Sequence, residues 1–276
     1  TPAYGFFLHA CEYNGVELVP SPLWEEGGRF SVDWEDLEAK AADPDVKLLM
    51  LCNPHNPCGR VWEKWELEKA MELFRKYDVY VISDEIWSDI ILGTNHHTPT
   101  QSVSDDARNR VCAFYAPSKT FNLAGLIGSY HICYNSWWRD RLEKESSLCH
   151  YNSMNVLSMH ALIGAYKPEG YVWTDELRQT LTGNIDFAVD YIEKHFPGIS
   201  VSKPQGTYML FVDCTDWCAA HGKTIDDVEQ ACWDVGVAIQ DGRMFHGSCH
   251  IRMNLALPLS RVQEAFHRMD RYVFNA

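Results

Sequence analysis

No run of apolar residues in the sequence is long enough to cross a bilayer, and no basic-then-apolar stretch opens it, so neither a helical span nor a leader is expected. Basic residues are in short supply: 24 Lys+Arg stand against 38 Asp+Glu, a formal charge of -14 at pH 7. That balance repels phosphate backbones and anionic lipid, which argues against a nucleic-acid or membrane partner. Cys-x-x-Cys pairs are absent although there are 10 cysteines. Cys52, Cys112, Cys133 and Cys232 fall in apolar segments, and Cys214 and Cys218 share one helix-like stretch with no second pair. Reduced thiols in the cytoplasm and no metal are the expectation. Internal repeats and low-complexity tracts are also missing.

What remains is a chain of 276 residues, 46% hydrophobic, able to bury a sizeable core. Short apolar runs alternate with helical patterns through the first half, the signature of crossover units feeding a mostly parallel sheet. Val46–Cys52, Val79–Ser83, Val111–Tyr115 and Ser129–Tyr134 read as strands. Between the first two, Trp65, Leu67, Ala70, Met71 and Phe74 recur near helical spacing, which predicts a helix over Glu63–Tyr77. From Asn152 the texture changes. Helices are expected over Asn152–Tyr166, Asp175–His195, Thr224–Trp233 and Ser260–Val273, with strands at Thr207–Val212, Val237–Ile239 and His250–Leu255. The expected division is a large domain over residues 1–165 and a smaller α+β domain over 166–276.

The first three strands each end in a polar cluster: Asn53-Pro54-His55-Asn56, Asp84-Glu85 and Ser118-Lys119. In open α/β sheets ligands sit beyond the carboxyl ends of strands, so the three clusters predict one site. In Asn53-Pro54-His55-Asn56-Pro57-Cys58-Gly59-Arg60, two prolines and a glycine make either a plain strand-to-helix loop or a rigid turn that aims an amide at a ligand. Asp84 either caps a helix or meets a cation, since a carboxylate at a buried strand end is costly alone. Lys119 is a solvated charge or, in a segment otherwise poor in charge, a desolvated amine able to attack a carbonyl. Arg252, set among apolar neighbours in His250–Pro258, either joins a structural ion pair or forks onto a carboxylate.

Taken together these blocks resemble the fold-type-I pyridoxal-phosphate (PLP) enzymes of the class I and II aminotransferase group. The turn is similar to their Asn-Pro-x-Asn-Pro-Thr-Gly, with Cys58 in the threonine's place. Ser118-Lys119-Thr120-Phe121-Asn122 with Gly125 is similar to their Ser-Lys-Thr-Phe-Asn-x-x-Gly, and Lys203–Tyr208 to their Pro-x-Gly-Thr-Tyr turn. The resemblance implies the aspartate-aminotransferase fold, with Lys119 carrying the cofactor's aldehyde and Asp84 facing its ring nitrogen. Asn56 meets its phenolic oxygen and the substrate carboxylate, ahead of a cis bond to Pro57. Tyr4 stacks on the ring, Arg252 clamps the α-carboxylate, and Trp87 stands where relatives place tyrosine or histidine. Ala116 and Ile127 replace a phosphate-binding serine and arginine, which leaves Ser118 to help hold the phosphate.

Histidine inside the turn, the Asp84-Glu85-Ile86 run, Ile127, and Arg252-x-Asn254-x-Ala256-x-Pro258 lean toward the cystathionine β-lyase subgroup. That resemblance implies an amino-acid substrate and a homodimer, with release of a thiol, pyruvate and ammonia. A transaminase is the alternative, and a non-catalytic interaction module that keeps the fold is a third. The family carries further chain, including a phosphate-cradling turn, ahead of the position matched by Tyr4. The residues in hand begin Thr1-Pro2-Ala3-Tyr4, so weak PLP binding and little activity are expected of them alone.

Overall fold

The computed structural model describes residues 1–151 and 153–275. Its first segment holds helix α1 (Gly5–Tyr13), a hairpin of β1 (Leu23–Glu26) and β2 (Arg29–Val32), and helix α2 (Trp34–Ala41). Gly27 and Gly28, both at positive φ, close the hairpin and set Leu23 opposite Val32. Two successive residues at positive φ turn the chain with the hand that matches strand twist, which is why glycine fills both places.

The middle of the chain forms β3 (Leu48–Cys52), α3 (Lys64–Lys76), β4 (Tyr80–Asp84), α4 (Asp105–Arg110), β5 (Val111–Tyr115), β6 (Tyr130–Cys133), α5 (Ser136–Leu148) and α6 (Val156–Ala165). One sheet runs β3-β4-β5-β6, parallel at its first two interfaces and antiparallel at the third. Leu67, Ala70, Met71 and Phe74 bury one stripe of α3 as their spacing requires. Each large apolar side chain there contributes about 2 kcal/mol by leaving water. Register then does the positioning: Cys52 pairs with Asp84 and Asp84 with Phe114, so the carboxyl ends of three strands lie level.

Helix α7 (Pro168–His195) leads into β7 (Ser200–Val201), β8 (Met209–Asp213), α8 (Thr215–His221), α9 (Ile225–Asp234), β9 (Gln240–Asp241), β10 (His250–Asn254) and α10 (Leu259–Met269). The second sheet is antiparallel, in the order β7-β8-β10-β9. Leu181, Ile185, Ala188 and Ile192 of α7 are buried at helical spacing, as are Val262, Phe266 and Met269 of α10. Thr224 and Asp227 close a reciprocal capping box at the start of α9.

Two compact units result: residues 1–36, 55–60 and 178–276 make one, and 37–54 and 61–177 the other. We call them the first and second units. The boundary expected from chain order, between 165 and 166, lies in the turn between α6 and α7. The helix expected from Asn152 starts at Val156, where the Asn155 side chain accepts the Ser158 N–H at 2.9 Å, and Asn152 itself lies outside the described residues. The strand expected at Val237–Ile239 forms instead at Gln240–Asp241, where β10 offers its edge. Helices α1, α2, α4 and α5 were not anticipated. None buries more than one residue, so none carries the apolar stripe that betrays a helix in sequence. Among the described residues no helix is long and apolar enough to cross a membrane.

Candidate active site

In the second unit Asp84 and the turn that carries Lys119 both lie at or just after strand ends. Asp84, the last residue of β4, is half-buried; its Oδ1 accepts the Ile86 N–H at 3.0 Å, and its main-chain oxygen accepts from Asn53 N at 2.9 Å. Burial holds its carboxyl above the ordinary value, the Ile86 amide works against that, Glu85 pushes it further up and the Lys119 ammonium draws it down. A carboxylate so placed favours a cation as neighbour.

Lys119 is half-buried, with Nζ 5.5 Å from the centroid of the buried Trp87 ring, so Asp84, Trp87 and Lys119 share one region. A tight turn shapes the chain around the lysine: Phe121 N donates to Pro117 O at 3.0 Å and Leu123 N to Ser118 O at 3.0 Å, with Asn122 at positive φ. Buried Thr120 anchors it, its hydroxyl donating to Asp89 at 3.0 Å. Ser118 lies half-buried on the same turn, and Ala116 is buried behind it. Ile127 is 83% exposed.

In the first unit, a second set gathers around Arg252. This residue is buried on β10 and donates from Nη1 to Asn56 Oδ1 at 2.8 Å and from Nε to Gln240 Oε1 at 2.9 Å; its Nη2 also reaches Gln240 Oε1. The guanidinium lies 4.2 Å over the Phe245 ring. Burial pushes it down to about 10, opposed by the phenols of Tyr4 and Tyr208. A buried cation held by two amide oxygens is a site for an anion, because neutral acceptors orient the fork without cancelling its charge.

Asn56 owes its aim to the turn around it. Main-chain bonds His55 N to Arg60 O and Gly59 N to His55 O, both 2.7 Å, close the loop, and the bond to Pro57 is cis as expected. Gly59, at φ +67, passes so near the 203–208 turn that a β-carbon would sit 2.2 Å from Pro204 Cβ, and its oxygen accepts from Gln205 N and Gly206 N. Glycine is therefore demanded twice, by conformation and by space. Cys58 and His55 are both buried, with Sγ and Nδ1 3.0 Å apart. Burial drives the thiol up to about 12 and the imidazole down to about 3. Both are neutral and inert near pH 7. Tyr4 packs on the cluster of Phe30, Cys58, Phe211 and Phe245.

The sequence-predicted residues thus fall into two sets: Asp84, Trp87, Ser118 and Lys119 in the second unit, and Tyr4, Asn56 and Arg252 in the first. Two partners were not foreseen: Gln240, because β9 lies beyond the strand expected nearby, and Tyr115, which meets Glu85 of the strand-end cluster. Glu85 is fully buried and accepts from Tyr115 OH at 2.8 Å. Its place next to Asp84 at the end of an apolar run was the available signal.

The family described as aminotransferase class I and II matches residues 1–269. Cystathionine beta-lyase PatB of Bacillus subtilis is 34% identical over 271 residues, 97% of this chain and 69% of that protein. Protein MalY of Escherichia coli is 34% identical over 270 residues, 96% of this chain and 67% of that protein. Among solved structures, the PLP-bound C-S lyase of Staphylococcus hominis aligns with a TM-score of 0.89 at 30% identity, covering 98% of this chain and 68% of that one.

Proposed function

The chain belongs to the class I and II aminotransferase family, and from that premise we propose that it is a PLP-dependent carbon–sulfur β-lyase acting on cystathionine or a related cysteine conjugate, releasing a thiol, pyruvate and ammonia. The fold is that of the PLP-dependent aminotransferases, with a mostly parallel sheet. The single observation that carries the lyase reading is the 34% identity to a cystathionine beta-lyase over 97% of this chain. The donor set agrees with the cofactor: a lysine and a carboxylate raised by burial share one region of the second unit.

PLP, when bound, supplies an electron sink for the bond-breaking at the amino acid. Lys119 would hold the cofactor's aldehyde carbon, and its amine would take the proton from the substrate's α-carbon. Asp84 keeps the ring nitrogen protonated. Trp87 forms an apolar wall beside the lysine, and Ser118 offers its hydroxyl to the phosphate. In the first unit Arg252 receives the substrate carboxylate, Asn56 steadies the arginine and the cofactor's phenolic oxygen, and Tyr4 provides an aromatic face. The amino-acid substrate needs both oxygens of its carboxylate engaged, which a guanidinium does through two parallel bonds.

We assign the protein to the cytoplasm, which the free thiols of all the described cysteines support. A homodimer is supported by α6, which is mostly apolar in sequence yet leaves Val156, Leu157 and Ile163 exposed. The test is to load the purified protein with PLP, reduce it with borohydride and locate the added mass. It is then supplied with L-cystathionine while pyruvate and free thiol are followed. Borohydride-fixed mass on Lys119 is expected, and whatever pyruvate this chain forms should need no added keto acid; turnover that depends on a keto acid would instead establish a transaminase.

A further inference from the structure

The residue after Asp84 has no part in the chemistry above, yet it is built into the second unit with unusual completeness. Glu85 is fully buried, and four partners reach its two oxygens. Oε1 accepts from Ser83 Oγ and from Thr100 N, each at 2.9 Å. Oε2 accepts from Tyr115 OH at 2.8 Å and lies 2.9 Å from His97 Nε2. A carboxylate out of water persists only where its lone pairs are filled in this way. Although burial works to raise it, hydrogen bonds from His97, Thr100 and Tyr115 hold the Glu85 carboxyl below its ordinary value.

The partners come from three places: the end of β4, the end of β5, and the loop over residues 97–100. The backbone joins them too, with Glu85 N donating to Phe114 O at 2.9 Å. Asp84 ends β4 and Glu85 follows it directly, so anchoring the one restrains the backbone that carries the other. Tyr115 is followed four residues later by Lys119.

We propose that Glu85 is a positioning residue: by tying the ends of β4 and β5 and the 97–100 loop to one buried carboxylate, it sets the direction of Asp84 and the path of the chain into Lys119. This rests on the reading of Asp84 and Lys119 as the groups that hold the cofactor. Its negative charge also acts through space, pushing the Asp84 carboxyl up.

The test compares wild type with Glu85→Gln, which keeps the shape but removes the charge and one acceptor, and with Tyr115→Phe, which leaves the other three partners in place. PLP affinity, the pH midpoint of the bound cofactor's visible absorbance, and the urea midpoint of the cofactor-free protein are read for each. Glu85→Gln should bind PLP about 10-fold more weakly, the size of one lost hydrogen bond to a charged group. Its absorbance midpoint should move to lower pH, because a negative charge that steadied the cationic nitrogens at Lys119 and the ring is gone. Tyr115→Phe should move both in the same direction by less, with its urea midpoint lowered by the one hydrogen bond lost. If both variants lose only stability while affinity and midpoint stay where they were, Glu85 is structural and the inference fails. If wild-type protein itself gains no borohydride-fixed mass on Lys119, the reading of the site has failed first.

Discussion

Replacing Arg252 by lysine separates charge from geometry at the proposed carboxylate clamp. Lysine keeps the cation but presents a point charge, and it cannot reach Asn56 Oδ1 and Gln240 Oε1 together as the arginine does at 2.8 and 2.9 Å. Each hydrogen bond to a charged group is worth roughly 1.5–3 kcal/mol. A substrate carboxylate that loses one of two parallel bonds should therefore lose kcat/KM by about 10- to 100-fold, mostly through KM, since every 1.4 kcal/mol is a factor of about ten. Folding should weaken too. One of the two buried amide oxygens is left short of a donor, at about 1–3 kcal/mol. Pyruvate release from L-cystathionine measures the first effect and urea unfolding of the cofactor-free protein the second. A variant whose kcat/KM lies within twofold of wild type, with the stability loss present, would show that Arg252 is a structural cation and refute its role as clamp.

Asp84→Asn should trade activity for stability. Because the folded carboxyl is raised above its ordinary value of 3.8, ionisation opposes folding, and stability falls as pH climbs through that range. Cofactor-free Asp84→Asn should therefore be the more stable protein at pH 7 by urea unfolding and yet bind PLP poorly and lose turnover by orders of magnitude. His55→Gln tests the opposite sign. The folded imidazole is depressed to about 3, so wild-type stability is full above the unfolded value of 6.5 and is lost as pH falls below it. The fully shifted group costs roughly 2–3 kcal/mol between pH 6.5 and pH 4, and the variant's urea midpoint should be flatter over that interval. Gly59→Ala forces a β-carbon to within 2.2 Å of Pro204 Cβ at positive φ, and should lower the thermal midpoint by several degrees, the effect of about 1–3 kcal/mol. A wild-type melting curve for that variant would mean that the turn gives way freely.

Much of the second unit was legible in the residues themselves. Val111–Tyr115 is a strand at the expected bounds, because its apolar run is unbroken, and α3 differs from expectation by one residue at each end, because its burial follows the helical period. Helix α5 was hidden for the converse reason: SWWRDRLEKESSL buries none of its residues, so packing never imposed a pattern on it. The site residues were readable where chemistry is tied to a strand end or a proline-bounded turn. They were not readable where a partner arrives from far along the chain. Gln240 is the example, twelve residues from Arg252 and brought beside it by the pairing of β9 with β10.

Sequence alone determined the elements whose cause is local: the apolar strand runs and period-3.6 helices, the Asn-Pro turn, and the placing of Asp84 at the end of one strand and Lys119 shortly after another. Each depends on backbone preferences and apolar spacing within a few residues, which no distant contact has to supply. Tertiary structure alone decided which polar groups meet. Asn56 and Arg252 are 196 positions apart and share a 2.8 Å hydrogen bond, and Glu85 finds its donors on two other segments. Burial demands that such groups be satisfied, but only the folded chain chooses which partner does it.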